Sequence, residues 1–239
     1  MSQLEFVIRK ALRFPPKLVK QTTRRIKRFY MTKIVRDEFT IEVRRWFKDK
    51  GDETLRLDYE LSPDSIVFDL GGYAGDFADA MAKRYDCYVY VFEPSREFHE
   101  ACVARFSGNP KIKCFNFGLG NADGQFVLSE ADDGSSIKRG EPQQGGTLVD
   151  IRRFADVFAE LGINKIDLIK INIEGGEYDV LPHVVEAGII EKINHIQVQF
   201  HDFIKGAKTM RANIISALEK THRRDWCYTF VWESWSRKP

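Results

Sequence analysis

The stretch SIVFDLGGYAG, residues 65–75, decides the fold of this chain. An apolar run ends in Asp69, a glycine-rich turn follows, and a helical pattern begins at Asp76. Eighteen positions after Gly75, the apolar run YVYVFEP places the acid Glu93 at the end of a second predicted strand. In a parallel sheet, this order of elements builds a nucleoside-binding crevice at the carboxyl edge of the strands.

The details of the turn indicate which nucleoside ligand to expect. A dinucleotide-binding turn needs the spacing G-x-G-x-x-G, and here Leu70 stands where the first glycine belongs. The carboxylate of Asp69, just before the turn, would repel a pyrophosphate and attract a cation. The pattern of Asp69, Gly71 and Gly75 therefore favours S-adenosylmethionine, which carries a sulfonium and an ammonium group. The alternative without a ligand is the strand–turn–helix of any α/β protein.

The composition fits one α/β domain with an extension, because the 239 residues are 43% hydrophobic and 30% charged. No apolar run approaches the roughly 20 residues of a membrane span. The four cysteines show no C-x-x-C spacing and fit free thiols in a reducing cytoplasm. A cytoplasmic location is therefore predicted.

Positive charge is concentrated at the N-terminus. Residues 1–36 hold eleven Lys or Arg and one acid, whereas the remainder holds 26 basic and 34 acidic residues. We expect residues 1–50 to form a basic helical extension and residues 51–239 to form the main domain. The extension fits peripheral contact with the inner face of an anionic membrane, a lid or homodimer element, or an organelle-targeting segment. Nucleic-acid contact is disfavoured by the acidic remainder, and a packed helix with a solvated basic face is the purely structural alternative.

From Ser65 onward, apolar runs of strand length alternate with helical patterns. This alternation predicts a mostly parallel sheet with helices on both faces. Strands are predicted at 66–70, 88–92, 112–117, 125–130, 166–173, 195–200 and 227–232, and helices at 76–84, 95–106, 151–161, 178–186 and 207–222. The polar segment 131–146 is predicted to be a mobile loop. The strand at 227–232 has one aromatic face, for which core packing is favoured over stacking on a sugar.

A second motif, DLIKINIEGGE at 167–177, carries polar residues within an apolar strand. Lys170, Asn172 and Glu174 alternate and are expected on one face, where they are costly unless they serve a site. The alternative is a buried ion pair between Lys170 and an acid such as Asp69 or Glu174. His201 follows the next predicted strand and titrates near neutrality, so it is the candidate general base. Its alternative is a histidine in a surface loop.

The segments DLGGYAG, VFEP and KINIEGGE resemble, in this order, the FkbM-type methyltransferases. The resemblance covers about residues 65–202. It implies the class I methyltransferase (Rossmann-like) fold, S-adenosylmethionine as cofactor, and O-methylation, commonly of a sugar hydroxyl in a glycan or of a natural product. This chain departs from the family pattern at Asn172, where aspartate is usual, and at Gln199, near which the family often carries an acid. A degenerate methyltransferase fold that serves as a binding or membrane-surface scaffold is the competing function.

The resemblance and the residue types together predict the site. A base or orienting group is needed because a sugar hydroxyl is a weak nucleophile, and no compact ligand motif predicts a metal. Glu93 is expected to bind the ribose, and the end of the third strand is expected to lie near adenine. The cofactor-binding set is Asp69, Gly71, Gly72, Gly75, Glu93, Asn116, Phe117 and Gly118, and the catalytic set is His201, Glu174, Lys170 and Asn172.

Overall fold

The computed structural model describes residues 37–131, 134–138 and 147–239. Residues 1–36, which carry most of the predicted basic extension, lie outside the described residues. Positions 132–133 and 139–146 of the predicted mobile loop also lie outside them.

The described residues form eleven strands, distributed over two sheets. They are β1 Ile66–Leu70, β2 Tyr88–Phe92, β3 Ile112–Phe115, β4 Gly118–Gly120, β5 Gly124–Ala131, β6 Gly134–Lys138, β7 Thr147–Arg153, β8 Ile166–Ile171, β9 Ile193–Val198, β10 His222–Tyr228 and β11 Trp232–Arg237. Seven strands make the main sheet in the order β10-β11-β9-β8-β1-β2-β3. Its strands are parallel except β11, which is antiparallel to both of its neighbours.

Helices cover both faces of the main sheet, as predicted. They are α1 Glu38–Lys48, α2 Asp76–Tyr85, α3 Arg96–Phe106, α4 Phe154–Glu160, α5 Glu177–Glu186 and α6 Ala207–Leu218, with a short 3-10 helix at Ile189–Lys192. Because side chains alternate along a strand, Val67 of β1 packs in one core layer with Phe77 and Met81 of α2. Phe68 packs in the opposite layer with Phe154 of α4. The predicted mostly parallel α/β sheet with helices on both faces is therefore confirmed.

The strand order creates a switch point beside β1. The chain runs from β1 outward through β2 and β3, and then returns to place β8 on the other side of β1. Ligands of open α/β sheets bind at such a point, outside the carboxyl ends of the strands. Both sequence motifs therefore end at the same edge of the sheet.

Three element predictions need correction. The predicted helix 151–161 begins only at Phe154, because residues 147–153 form β7, which pairs with β5 and β4 in the second sheet. The predicted loop 131–146 contains β6, which forms a hairpin with β5. The predicted strand 227–232 is the end of β10, a turn and the start of β11. Phe230 turns the chain with φ 60.

Aromatic residues of the C-terminal hairpin pack in the core, as favoured from the sequence. Tyr228, Phe230 and Trp232 are all buried. Trp46 of α1 clusters with Tyr228 and Trp232, and its ring centroid lies 5.1 Å from that of Tyr228 and 5.7 Å from that of Trp226. Helix α1 is thus fastened to the edge of the main sheet. No helix in the described part of the chain is long and apolar enough to cross a membrane.

Candidate functional site

The turn after β1 brings the backbone close to the end of β8. Gly71 adopts φ 76, and a Cβ at this position would lie 2.0 Å from the backbone oxygen of Asn172. Gly75 adopts φ 81 at the start of α2, where a Cβ would meet the Phe106 ring at 2.7 Å. Both positions therefore require glycine. Gly72 lies between them in the same turn.

Asp69 and Lys170 form an ion pair beneath this turn. The Nζ of Lys170 lies 2.9 Å from Oδ1 of Asp69 and donates a hydrogen bond to the carbonyl of Gly71 at 2.7 Å. Asp69 is fully buried and Lys170 is 4% exposed. The geometry of this ion pair is not that of a hydrogen bond, and neither carboxylate oxygen of Asp69 accepts a hydrogen bond from a described residue. The buried ion pair, which was the structural alternative for Lys170, is thus what the structure shows.

Glu93 stands at the carboxyl end of β2 and is held by backbone amides. Its Oε2 accepts a hydrogen bond from the Tyr73 amide and its Oε1 accepts one from the Ser95 amide, both at 2.8 Å. Burial raises the pKa of Glu93, although the two amides act in the opposite direction. The carboxylate is therefore fixed in orientation, with lone pairs left for further donors such as the hydroxyls of a ribose.

The predicted adenine-side residues follow β3. The side-chain amide of Asn116 donates to the carbonyls of Glu93 and Pro94, at 3.2 and 3.1 Å. Asn116 therefore braces the loop after β2. The Phe117 ring packs on Phe92 with 5.9 Å between centroids, and it precedes Gly118, which lines the cavity described below.

A cavity open to solvent lies at this edge of the sheet, between the main sheet and the second sheet. Its empty volume, which includes space open to the solvent, is about 490 Å³. The lining is mostly apolar or glycine, and the residues are Gly71, Phe92, Pro94, Gly118, Leu119, Gly120, Asn121, Phe126, Ile151, Ile173, Gly176 and Asp179. The glycines and flat apolar groups beside Glu93 fit a nucleoside. We therefore find the residues present compatible with S-adenosylmethionine.

The polar residues of the second motif do not share one strand face. Strand β8 ends at Ile171, so only Lys170 lies within the strand, and Asn172 and Glu174 lie in the turn that follows. Glu174 adopts φ 50, a left-handed conformation that is uncommon for a residue with a side chain. The side-chain oxygen of Asn172 is buried, and no described residue donates a hydrogen bond to it. The expected common face is therefore replaced by a turn at the switch point.

His201 lies between two carboxylates, and the surface-loop alternative for it is wrong because the residue is buried. Its Nδ1 lies 3.0 Å from Oε1 of Glu177, and its Nε2 lies 3.4 Å from Oε2 of Glu174. Burial opposes the charged ring, but the hydrogen bonds to Glu174 and Glu177 outweigh it and raise the pKa of His201 to about 9. The ring is therefore protonated at neutral pH, and its predicted role as a base stays a prediction.

Glu177 was not among the residues predicted to form the site. Besides contacting the His201 ring, it accepts hydrogen bonds from the amides of His201 and Gly175, each at 2.8 Å. It is the last residue of the quoted run KINIEGGE, which is the only sequence signal for it. No group of three or more His, Cys, Asp or Glu side chains in the described ranges is arranged to hold a metal ion.

Comparison with known proteins agrees with this geometry. Of the curated relatives, the Pseudomonas aeruginosa protein named AMB antimetabolite synthetase AmbE is 29% identical over 205 residues, covering 68% of this chain and 10% of that protein. Methyltransferase 1 of Beauveria bassiana is 24% identical over 155 residues, covering 52% of this chain and 61% of that protein. The chain thus spans less than two thirds of either relative.

A solved structure shows the same fold. The FkbM methyltransferase of Methylobacillus flagellatus aligns with a TM-score of 0.50 at 16% identity, covering 75% of this chain and 45% of that one. The sequence model described as the methyltransferase FkbM domain matches residues 69–225, from the turn after β1 to the C-terminal hairpin. This chain therefore belongs to the FkbM methyltransferase domain family.

Proposed function

We propose that this protein is an S-adenosylmethionine-dependent O-methyltransferase that acts on a hydroxyl of a sugar, a glycan or a natural product. The observation that carries the proposal is the cluster of Glu174, His201 and Glu177 in the loops after β8 and β9, where the chain neighbours Ile173 and Gly176 line the cavity. A hydroxyl is a weak nucleophile, so its methylation benefits from charged groups that orient it and receive its proton.

The methyl donor supplies an electrophilic methyl group on a sulfonium. Glu93 would bind the ribose, and Gly71, Gly72 and Gly75 would let the backbone approach the methionine end. Gly118 and Leu119, which follow Phe117 and line the cavity, would lie against the adenine. Asp69 and Lys170 would not contact the cofactor directly, and their ion pair would stabilise the conformation of the glycine turn.

A sugar or another ring-containing acceptor is supported by an exposed aromatic side chain. Phe203 is 56% exposed, and its ring centroid lies 5.2 Å from that of His201. An aromatic face in this position offers the C–H surface of a sugar ring an apolar partner. The similarity to a synthetase of an antimetabolite supports the natural-product alternative.

The scaffold alternative rests on Asn172. An asparagine lacks the charge of the usual aspartate, but its buried side-chain oxygen is still an acceptor without a donor in the described residues. An unsatisfied buried acceptor is costly, and a bound donor group would remove that cost. We therefore favour a ligand-binding enzyme over a degenerate scaffold.

Calorimetry with S-adenosylmethionine tests the cofactor site. We expect wild type to bind, and Glu93→Gln to bind at least about tenfold more weakly, because hydrogen bonds to a charged group contribute about 1.5–3 kcal/mol. Glu97→Gln is the matched control, since Glu97 is exposed on α3 nearby. A folded wild-type protein that does not bind S-adenosylmethionine would refute the proposal that the protein is a methyltransferase.

Transfer of a labelled methyl group tests the reaction. Wild type is offered labelled S-adenosylmethionine with a panel of glycans, lipid-linked oligosaccharides and RNA. We expect label in a sugar-containing acceptor and not in RNA. Cytoplasmic location, homodimer formation and membrane contact through residues 1–36 stay predictions, and liposome co-sedimentation with and without residues 1–36 tests the last of them.

A further inference from the structure

Glu177 holds together the two loops that follow β8 and β9. It is the first residue of α5 and is fully buried. One carboxylate oxygen accepts from the Gly175 amide, and the other accepts from the His201 amide and contacts the His201 ring. Each of these partners offsets hydration that the buried carboxylate loses. Glu177 therefore contacts both the backbone and the ring of His201.

The His201 ring has a carboxylate at each nitrogen. Glu177 faces Nδ1 and Glu174 faces Nε2. A ring between two carboxylates keeps both protons, since each proton has an acceptor. Of the other neighbours, the Tyr178 hydroxyl donates to the His201 carbonyl at 2.9 Å, and Asp202 is exposed. Neither ring nitrogen is left free to take a proton from an acceptor hydroxyl.

Glu174 is the member of the cluster that a substrate can reach. Its side chain is 31% exposed, compared with 9% for His201 and 0% for Glu177. One of its oxygens faces His201, and the other has no hydrogen bond to a described residue. Its left-handed backbone, φ 50, is a strained conformation of the kind that functional sites retain. The turn thus leaves a partly exposed carboxylate next to Ile173, which lines the cavity.

We propose that Glu174 accepts the proton of the acceptor hydroxyl, and that Glu177 is a positioning residue that holds His201 as an imidazolium against Glu174. This inference rests on the proposed function. The acceptor oxygen forms a bond to the methyl carbon while the bond from that carbon to sulfur breaks, with the electron pair left on sulfur, and the hydroxyl proton passes to Glu174. A carboxylate is a strong enough base for this step, because the hydroxyl proton of the acceptor becomes more acidic as the oxygen bonds to the methyl carbon.

Titration of His201 by NMR tests the positioning role without any substrate. In the full chain, His201 should titrate near pH 9, with its resonance assigned by loss in His201→Gln. Glu177→Gln removes one of the two carboxylates, so the midpoint should fall by at least about one pH unit. Glu186→Gln is the control, because Glu186 is exposed at the other end of α5. A wild-type midpoint near 6.5, or no shift in Glu177→Gln, overturns the inference and leaves the proposed function intact.

The pH dependence of labelled methyl transfer tests the base. With Glu174 as base, the rate should be level near neutral pH and fall above about pH 9 as His201 loses its charge. In Glu177→Gln, this fall should move to lower pH, together with the NMR midpoint. Glu174→Gln should lose at least about 100-fold in rate while it still binds S-adenosylmethionine.

The outcomes separate the two proposals. A rate that rises tenfold per pH unit toward pH 9 would make His201 the base and overturn the inference alone. Nearly full activity of Glu174→Gln would also overturn this inference and leave the proposed function intact. Wild type that binds no S-adenosylmethionine, or labels no acceptor, would overturn the proposed function and this inference with it.

Discussion

Replacement of Lys170 by Met should destabilise the protein severely. Lys170 is 4% exposed and Asp69 is fully buried, and 2.9 Å separates their charged atoms. Met has a similar length and no charge, so Lys170→Met leaves the Asp69 carboxylate buried without a counter-charge. It also removes the 2.7 Å hydrogen bond to the Gly71 carbonyl, which loosens the turn.

The expected magnitude follows from burial. Removal of one partner of a buried ion pair costs about 3–5 kcal/mol, a large part of the about 5–15 kcal/mol by which domains are stable. At about 2–4 °C per kcal/mol for a domain of this size, the melting temperature should fall by roughly 6–20 °C. Asp69→Asn in the Lys170→Met background removes the buried charge, so we expect it to recover about 2 kcal/mol of the loss.

Urea denaturation followed by circular dichroism measures these free energies of unfolding. The control is Lys83→Met, because Lys83 pairs with Asp79 at 2.8 Å but its side chain is 75% exposed. Its loss should stay within about 1 kcal/mol. Equal losses for Lys170→Met and Lys83→Met would refute the argument, since the two pairs differ in burial and not in distance. The absence of any recovery in the double variant would also contradict it.

Two further substitutions test the turn and the first helix. Gly71→Ala should destabilise the protein more than Gly162→Ala. Both glycines have positive φ, but only at Gly71 would a Cβ clash, since it would lie 2.0 Å from the Asn172 backbone oxygen. Equal melting temperatures of the two variants would contradict this expectation. Trp46→Ala should lower the free energy of unfolding by about 3–5 kcal/mol. Phe47→Ala is the control and should lower it little, because Phe47 is 69% exposed on the same helix. Similar losses in the two variants would show that Trp46 does not hold α1 against the sheet.

Strands β1 and β2 could be predicted from the sequence with correct bounds, because their signals are local. Each is a mostly apolar run that is buried on both faces, and each ends at a turn marked by glycine or proline. Strand β7 could not be predicted in this way. Only Val149 and Ile151 are buried in it, and it exists because it pairs with β5, more than twenty residues earlier.

The turn between β10 and β11 was missed for a different reason. Thr229, Phe230 and Val231 connect the strands, and none of them is a residue that favours turns. Phe230 has φ 60, which bulky residues rarely adopt. The regular alternation of aromatic residues therefore continued across the turn and resembled one strand.

At the site, the sequence could supply residue types but not partners. Lys170 could pair with Asp69 or Glu174, and the choice is made by the register of β1 and β8, which places Asp69 directly opposite Lys170. Glu177 lies 24 residues from His201, and no local spacing connects them. Both facts depend on how strands and loops meet at the switch point.

This register also changes the physical reason for expecting a cationic ligand. Asp69 was expected to attract the sulfonium, but its charge is balanced by Lys170 at 2.9 Å, so the pair exerts little net field. The excess negative charge at this edge comes instead from Glu93, from Asp179 in the cavity wall, and from two carboxylates around a single imidazolium.

The strength of this attraction can be judged from Coulomb's law. A carboxylate about 8 Å from a cation contributes about 2 kcal/mol at an effective dielectric constant of about 20, so these groups together can favour a sulfonium without Asp69. It follows that Asp69 would influence the proposed methyl donor through the shape of the glycine turn, which Lys170 ties to it, and not through its own charge.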